Sequence, residues 1–299
     1  MEKKNNWRAI LYLLPALILM GVFIFYPLVN AFYISFLDNY RPLLGTASGY
    51  TFANYTRVWN DQYFKDALKN TFVVAFISVP VSILISLLIS VGLKSIKWLK
   101  GFFQTIFFLP YVTNAIAIGM AFAFMFHQEY GLVNVILGWF GIDPVNWIGG
   151  LSSWWAQMGA LLIYSVWNGL AFKILVFTSG LQNIDKQYYD AAKIDSASKS
   201  RIFRKITIPL LSPFILYISI TSMIGALKTY NSVVGLFGTK LGATPYSMVT
   251  IVAYVYNYVS GYTDVGSISR AAASAIILFI ITVIFSLIQG VVSRKRVHY

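Results

Sequence analysis

The chain contains no cysteine, and its only two histidines, His127 and His298, stand far apart among 299 residues. Disulfides, iron–sulfur clusters, thiolate metal sites and thiol nucleophiles are therefore excluded, and a histidine-based metal site is not expected. Charge is scarce too: Asp, Glu, Lys and Arg make up 11% of the residues, against about 25% in a soluble domain. Hydrophobic residues reach 58%, aromatics 17%, and mean hydropathy is +0.68. Such a chain cannot cover a soluble surface of its size, and it is too apolar to be disordered. No repeat of fixed period and no low-complexity segment is evident. Acidic residues are the rarest charge, 10 against 23 Lys and Arg, for a net +13. A basic excess serves nucleic acid when it forms a face on a soluble fold. Here the cations fall between long apolar runs, so the expected surroundings are membrane lipid and not nucleic acid.

A bilayer core takes about 20 mostly apolar residues in a helix, and six stretches qualify: 11–37, 72–93, 102–126, 155–181, 214–237 and 268–292. The first is too long for the apolar region of a signal peptide, and no small-residue cleavage site ends it. Lys3, Lys4, Arg8, Lys94, Lys97, Lys100, the six cations from Lys186 to Lys205, and Arg294 to Arg296 fall on one side of these spans. Arg41, Arg57, Lys65, Lys69 and Lys240 fall on the other. The positive-inside rule then predicts a multi-pass protein with both termini in the cytoplasm. Of the outer segments, 38–69 is polar and aromatic, with a short helix expected near 61–69. The stretch 127–154 is rich in Gly and Trp, as interfacial anchors are. The tyrosine-rich 244–258 reads as an interfacial or external helix.

The inner connection between spans four and five is the most informative. At about 30 residues, roughly 182–212, it far exceeds the usual two to eight of helix bundles. Asp185 is placed to cap a helix, and Asp190 and Asp195 flank the small residues Ala191, Ala192 and Ala197. An alanine face admits close approach of a partner backbone, and the flanking carboxylates supply charges that fix register. A basic, partly apolar helix follows, which Pro209 and Pro213 are expected to stop. Positive-inside bias alone would account for a basic loop, but not for the alanine pair, the aspartates or the prolines.

Asp190-Ala191-Ala192-Lys193-Ile194-Asp195-Ser196-Ala197, followed by Phe203, Ile206 and Pro209, resembles the Glu-Ala-Ala-x-x-Asp-Gly-Ala signature and Phe-x-x-Ile-x-x-Pro tail of the membrane permease subunits of binding-protein-dependent ABC importers. Asp190 stands for the usual Glu and Ser196 for the usual Gly. Leu13-Leu14-Pro15-Ala16, Tyr26-Pro27-Leu28, Phe52-Ala53-Asn54-Tyr55, Asn70-Thr71-Phe72, Phe107-Phe108-Leu109-Pro110-Tyr111 and Tyr130-Gly131-Leu132-Val133-Asn134 resemble the carbohydrate-import branch of that family. After span five the usual Thr-x-Gly-Gly-Pro segment is reduced to a glycine-rich, proline-closed stretch at 236–245.

The resemblance implies an all-α, MetI-like permease of type I in a bacterial plasma membrane. An N-terminal helix and external segment (1–69) would precede a five-helix core (70–293) and a tail (294–299). It implies a second permease subunit as heterodimer partner, a cytoplasmic ABC ATPase dimer that binds the ATP and Mg, and an extracytoplasmic solute-binding protein that delivers a carbohydrate. Tyr189, Asp190, Ala191, Ala192, Asp195, Ser196 and Ala197 would then dock the ATPase. The chain carries no Gly-x-x-x-x-Gly-Lys-Ser/Thr loop, so it is read as a non-catalytic subunit without a cofactor of its own.

Polar and aromatic groups at bilayer depth mark a solute path: Tyr111 and Asn114 on span three, Ser165, Asn168 and Phe172 on span four, and Lys228, Tyr230 and Asn231 on span five. Ser165, Asn168 and Phe172 share one helix face by their spacing. Similarity to maltose-importing members of the family adds Gly169 and Gly225 to the path. The competing role for these residues is packing of helix on helix. Lys173 is expected to snorkel or to pair elsewhere, and Arg270 to reach the interface. Glycerol phosphate or a polyol is the alternative solute. An ion-coupled secondary transporter is the alternative class, but such proteins often show inverted repeats and intramembrane carboxylates, and this sequence has neither.

Overall fold

The computed structural model describes residues 6–96, 100–238, 248–260 and 266–294. Most of the 236–245 stretch, the first part of 244–258 and all of 295–299 lie outside these residues, as do Lys3, Lys4, Lys97, Lys240, Lys295 and Arg296. The regular elements among the described residues are helices apart from one short strand pair, and the chain divides into two units: Met1–Asp61 with Val255–Phe279, and Gln62–Tyr254 with Ile280–Tyr299.

In the first unit, α1 (Asn6–Met20), a π-turn (Gly21–Phe25) and α2 (Tyr26–Ser35) run on as one apolar span, Ile10–Ser35. Pro27 follows the π-turn directly, and its missing N–H falls where the regular helical bonding is already interrupted. Strands β1 (Leu37–Asp38) and β2 (Gly49–Tyr50) pair antiparallel, and α3 (Ala53–Asn60) folds back on the end of α2. Buried Asn54 donates from Nδ2 to the carbonyls of Ser35 and Leu37 at 3.0 and 2.9 Å. The last carbonyls of a helix have no partner within it, and this amide supplies one. Tyr55 shares a 2.7 Å hydrogen bond with Ser35 Oγ, and Arg57 pairs with Asp38 at 3.1 Å.

The second unit begins with α4 (Gln62–Ser95), 34 residues long. It absorbs the segment expected to form a separate helix near 61–69: no turn residue interrupts the chain there, and Phe64 and Ala67 are buried on the same side as the residues that follow. Beside it lies α8 (Trp154–Asn183). Contacts at Asn70–Trp154, Ser90–Ile174 and Lys94–Leu181 keep a nearly constant offset, so the two helices run parallel. Ser78, Ser82, Ser86 and Ser90, spaced by four and all buried, form a small-residue stripe along α4. The hydroxyls of Ser82, Ser86 and Ser90 turn back on their own helix, and Ser90 also reaches the Ile174 carbonyl at 3.2 Å. Small residues allow such backbones to pack closely in a membrane. At one end Leu87, Phe177, Leu181, Ile184, Leu211 and Ile218 form an apolar cluster.

Two expected spans are broken. The third consists of α5 (Lys100–Val112) and α6 (Ala115–Met125), bent by 101°. Pro110 withholds a backbone donor near the end of α5, and Asn114 caps a new helix, accepting from the N–H groups of Ile116 and Ala117 at 2.9 and 3.2 Å. The connection to α8 holds α7 (Leu132–Trp139) and is organised by Asn134, which bonds Gln128, Val145 and the Trp147 indole.

The helix after the long connection, α10 (Lys199–Ile202), a π-turn (Phe203–Thr207) and α11 (Ile208–Leu210), runs through Pro209 and stops at Leu210. A 66° bend separates it from α12 (Ser212–Leu227). The fifth span ends at Leu227, ten residues before the expected limit of 237, because the chain breaks at Lys228–Tyr230 before α13 (Asn231–Phe237). Finally, α14 (Ile251–Ser260) covers part of the expected 244–258 helix, and α15 (Ser267–Arg294) forms the last span. Among the described residues four helices are long and apolar enough to cross a membrane, six if each bent pair counts as one span.

Candidate functional site

Both breaks in the second unit open onto one cavity of about 410 Å³. Its wall takes Ser78, Val79 and Ser82 from α4, Ala115 from the start of α6, and Ser165, Asn168, Gly169 and Lys173 from α8. The end of α12 and the break after it add Ser222, Gly225, Ala226, Lys228, Thr229, Tyr230, Asn231 and Ser232. Seven of the ten path residues read from the sequence are therefore brought together: Ser165, Asn168, Gly169, Gly225, Lys228, Tyr230 and Asn231.

Tyr111, Asn114 and Phe172 do not line this cavity. Tyr111 and Phe172 stack on each other with centroids 5.6 Å apart and planes at 23°, which fastens α5 to α8. The Asn114 carbonyl oxygen is occupied as the α6 cap. Spacing put Phe172 on the same helical face as Ser165, yet the bend in the third span carries α5 alongside that residue and covers it.

Polar groups dominate the wall, and several have little to bond within the chain. Ser165 Oγ is buried without a partner. Lys173, expected to snorkel or pair, does neither with a described carboxylate. It is 94% buried, since only 6% of its surface is exposed, and Nζ donates to the Gly169 carbonyl at 2.9 Å. Gly169 makes this possible: a Cβ there would lie 2.9 Å from the ammonium. Lys228 caps α12 and is exposed at the break. No described carboxylate lines the cavity. Sequence reading missed Lys173 as a wall residue, although its i+4 relation to Gly169 was visible.

Gly119 of α6 and Gly235 of α13 meet nearby. A Cβ on either would sit 2.7 to 2.8 Å from the other's Cα, so the two helices touch backbone to backbone. Asn70 ties the first turns of α4 to Trp154 Nε1 at 2.8 Å and to the Val249 carbonyl at 3.0 Å.

At the other end of α8, Asp185 caps α9 (Lys186–Ile194) by accepting from Gln187 N–H at 2.9 Å. Helix α9 ends in a Schellman turn. Ala197 N–H bonds the Ala192 carbonyl at 2.9 Å, Ser196 N–H bonds the Lys193 carbonyl at 3.0 Å, and Ser196 sits at φ +54°. This left-handed position favours glycine, which gives a physical reason for the Gly in the signature.

The alanine pair is split between two faces. Ala192 is 7% exposed and turned inward with Tyr189, whereas Ala191 is exposed together with Tyr188, Ile194 and Asp195. Ile194 is 84% exposed, an unusual position for so apolar a side chain. Asp190 pairs with Lys193 at 2.9 Å on the surface. Inside, Lys94 at the end of α4 lies 4.1 Å from the Tyr189 ring centroid and donates to the Leu181 carbonyl at 3.1 Å, while the Tyr189 hydroxyl is 3.4 Å from Thr207 Oγ1. One ammonium thus joins α4, α8 and α9. Arg270, in the first unit, lies over the Tyr258 ring at 5.3 Å.

A multi-pass helical protein with broken helices around a polar cavity, and an exposed helix mounted on its bundle, belongs among membrane transport components. Residues 78–298 match the family described as the binding-protein-dependent transport system inner membrane component, and the chain belongs to that family. It is 32% identical to the lactose transport system permease protein LacF of Rhizobium radiobacter, over 98% of this chain and 95% of that one. It is 31% identical to the arabinooligosaccharide permease protein AraP of Bacillus subtilis, over 96% and 91%. In fold it is similar to a chain of a bacterial ABC transporter for import of the acidic polysaccharide alginate, with TM-score 0.79 at 20% identity over 98% and 96% of the two chains. Membership of this family removes the ion-coupled secondary transporter as an alternative.

Proposed function

We propose that this chain is the permease subunit of an ATP-driven importer that moves a carbohydrate through the cavity between α4, α8 and α12. The supporting observation is the convergence of Ser165, Asn168, Gly169, Gly225, Lys228, Tyr230 and Asn231 on one 410 Å³ space, framed by two broken helices. Irregular backbone at bilayer depth is tolerated where it lines a cavity. Amides and hydroxyls on such a wall suit the hydroxyls of a sugar, and permeases for lactose and arabinooligosaccharides are among the relatives.

On this reading a second permease completes the path, and an extracytoplasmic binding protein delivers the solute. A cytoplasmic ATPase dimer, which binds the ATP and Mg, seats against α9 through Tyr188, Ala191, Ile194 and Asp195. The carboxylate of Asp190 remains at the edge of that contact. Ala192 and Tyr189 support α9 from beneath, and Ser196 and Ala197 close its end. Both termini lie in the cytoplasm of a bacterial cell, as the positive-inside pattern requires. ATP-driven closure then reaches the membrane as rigid-body motion of α9 and the helices fastened to it.

The test is reconstitution of the complex purified through a tag on this chain, with its cognate binding protein. Uptake of the delivered sugar that depends on ATP supports the reading. Ligand-stimulated ATP hydrolysis without uptake, or failure of any ATPase to co-purify, refutes it.

A further inference from the structure

We infer that the cavity selects for a solute bearing an acidic group, and that Lys173 is the residue that receives it. The inference rests on the permease reading and narrows its substrate class to sugars or polyols carrying an oxyanion: carboxylate, sulfonate or phosphate. The Lys173 ammonium is buried in the cavity wall with one neutral partner, the Gly169 carbonyl at 2.9 Å. Removing an ammonium from water without a counter-ion is costly, and such residues inside membrane segments mark substrate or ion pathways. No described carboxylate lines the cavity, so none of the described residues supplies a counter-charge there.

Two further features favour an incoming oxyanion. Lys228 stands on the same wall, which makes the lining cationic. Ser165 Oγ, two helical turns before Lys173 on α8, is buried without a partner and has a hydroxyl proton to give. An oxyanion accepts from ammonium and hydroxyl donors alike, and charge-assisted bonds of this kind are the strong ones. A neutral sugar would leave the ammonium uncompensated.

The test uses the tagged complex in nanodiscs with the binding protein removed, so that only the membrane site is read. Saturation-transfer NMR measures binding of digalacturonate against its methyl ester, glucose 6-phosphate against glucose, and glycerol 3-phosphate against glycerol. At least one acid is expected to bind tenfold or more tightly than its neutral counterpart. Lys173→Met abolishes that preference, Lys173→Arg retains most of it, and Ser165→Ala lowers it severalfold. Equal or reversed preference in every pair, or no acid bound at all, overturns the inference without any variant. Retention of the preference in Lys173→Met overturns the role of Lys173. If Lys173→Met no longer co-purifies with the second membrane subunit, the ammonium serves subunit pairing and the inference also falls. ATP-coupled uptake of a neutral sugar by a complex with no acid preference would sink this inference alone, whereas absence of ATP-coupled uptake would sink the reading beneath it.

Discussion

Lys94 offers the sharpest test of how α9 is joined to the bundle. Its ammonium holds the Leu181 carbonyl at 3.1 Å and the Tyr189 ring at 4.1 Å, so that one side chain links the ends of α4 and α8 to α9. A net hydrogen bond contributes about 1 kcal/mol, and a cation–π contact at an accessible site about 0.5–1 kcal/mol. Lys94→Met keeps the aliphatic length and removes both. The expected loss is about 1.5–2 kcal/mol in holding α9 seated, and since about 1.4 kcal/mol is a factor of ten, the unseated population rises roughly 10- to 30-fold. Hydrogen exchange over residues 186–197 should accelerate by that factor. In proteoliposomes the number of solute molecules moved per ATP should fall while the ATPase still co-purifies, because the exposed face of α9 is unchanged. Unaltered exchange together with an unaltered transport-to-hydrolysis ratio would refute the argument. Lys94→Arg, which preserves the cation, should stay close to the parent.

Four other outcomes are expected. Ser196→Gly relieves a left-handed residue in the Schellman turn, a conformation that costs a non-glycine residue about 1–2 kcal/mol; slower hydrogen exchange at Ala197 checks it, and faster exchange contradicts it. Gly235→Val drives a side chain into the Gly119 backbone and should lower thermal stability of the detergent-purified complex and abolish uptake, with a normal melting curve as the contrary result. Asn168→Ala should cut uptake at least tenfold with ATPase assembly intact, whereas Phe172→Ala, which removes the stack on Tyr111, should act mainly on thermal stability; identical behaviour of the two would undo the distinction between wall and packing residues. Tyr164→Phe withdraws the hydroxyl that donates to the Ala115 carbonyl at 2.6 Å and should cost about 0.5–1.5 kcal/mol, the net contribution of one hydrogen bond, read as a drop in melting temperature.

Runs of apolar residues reveal where a chain meets lipid, and the four unbroken spans among the described residues were legible in that way, as was the apolar character of the bent ones. Their breaks were not. Hydropathy registers side chains, while a break is a matter of which backbone groups find partners. Thr113-Asn114 reads as a helix cap only once Pro110 is known to end the helix before it, and Lys228-Thr229-Tyr230 carries no helix-breaking residue. The expected helix near 61–69 merged with α4 for the converse reason: its polar face looked like a boundary, although Phe64 and Ala67 continue the buried side. Within the loop, residue types pointed to α9, but the equivalence of Ala191 and Ala192 dissolved once α9 turned Tyr189 toward Lys94 and buried Ala192. Lys173 was misplaced because a lone lysine in an apolar run is read as snorkelling until a glycine four residues earlier is seen to clear space for it.

The two breaks have a common logic. Each break leaves backbone N–H or C=O groups that cannot bond within their own segment, and at bilayer depth an unpaired group is too costly to persist. Side-chain oxygens meet the need: Asn114 Oδ1 accepts from the Ile116 and Ala117 N–H groups at the start of α6, and the Thr250 hydroxyl donates to the Thr229 carbonyl after α12 at 2.6 Å. Thr71 in turn accepts from the N–H of Ile251 at 3.0 Å and so fixes α14 to α4. The polar residues scattered through these apolar segments therefore do two different kinds of work. Those with a backbone partner hold irregular chain in place. Ser165 has none and Lys173 has a single carbonyl, and both stand on the cavity wall. Once backbone repair is accounted for, binding capacity remains in the wall at the place where a solute must pass.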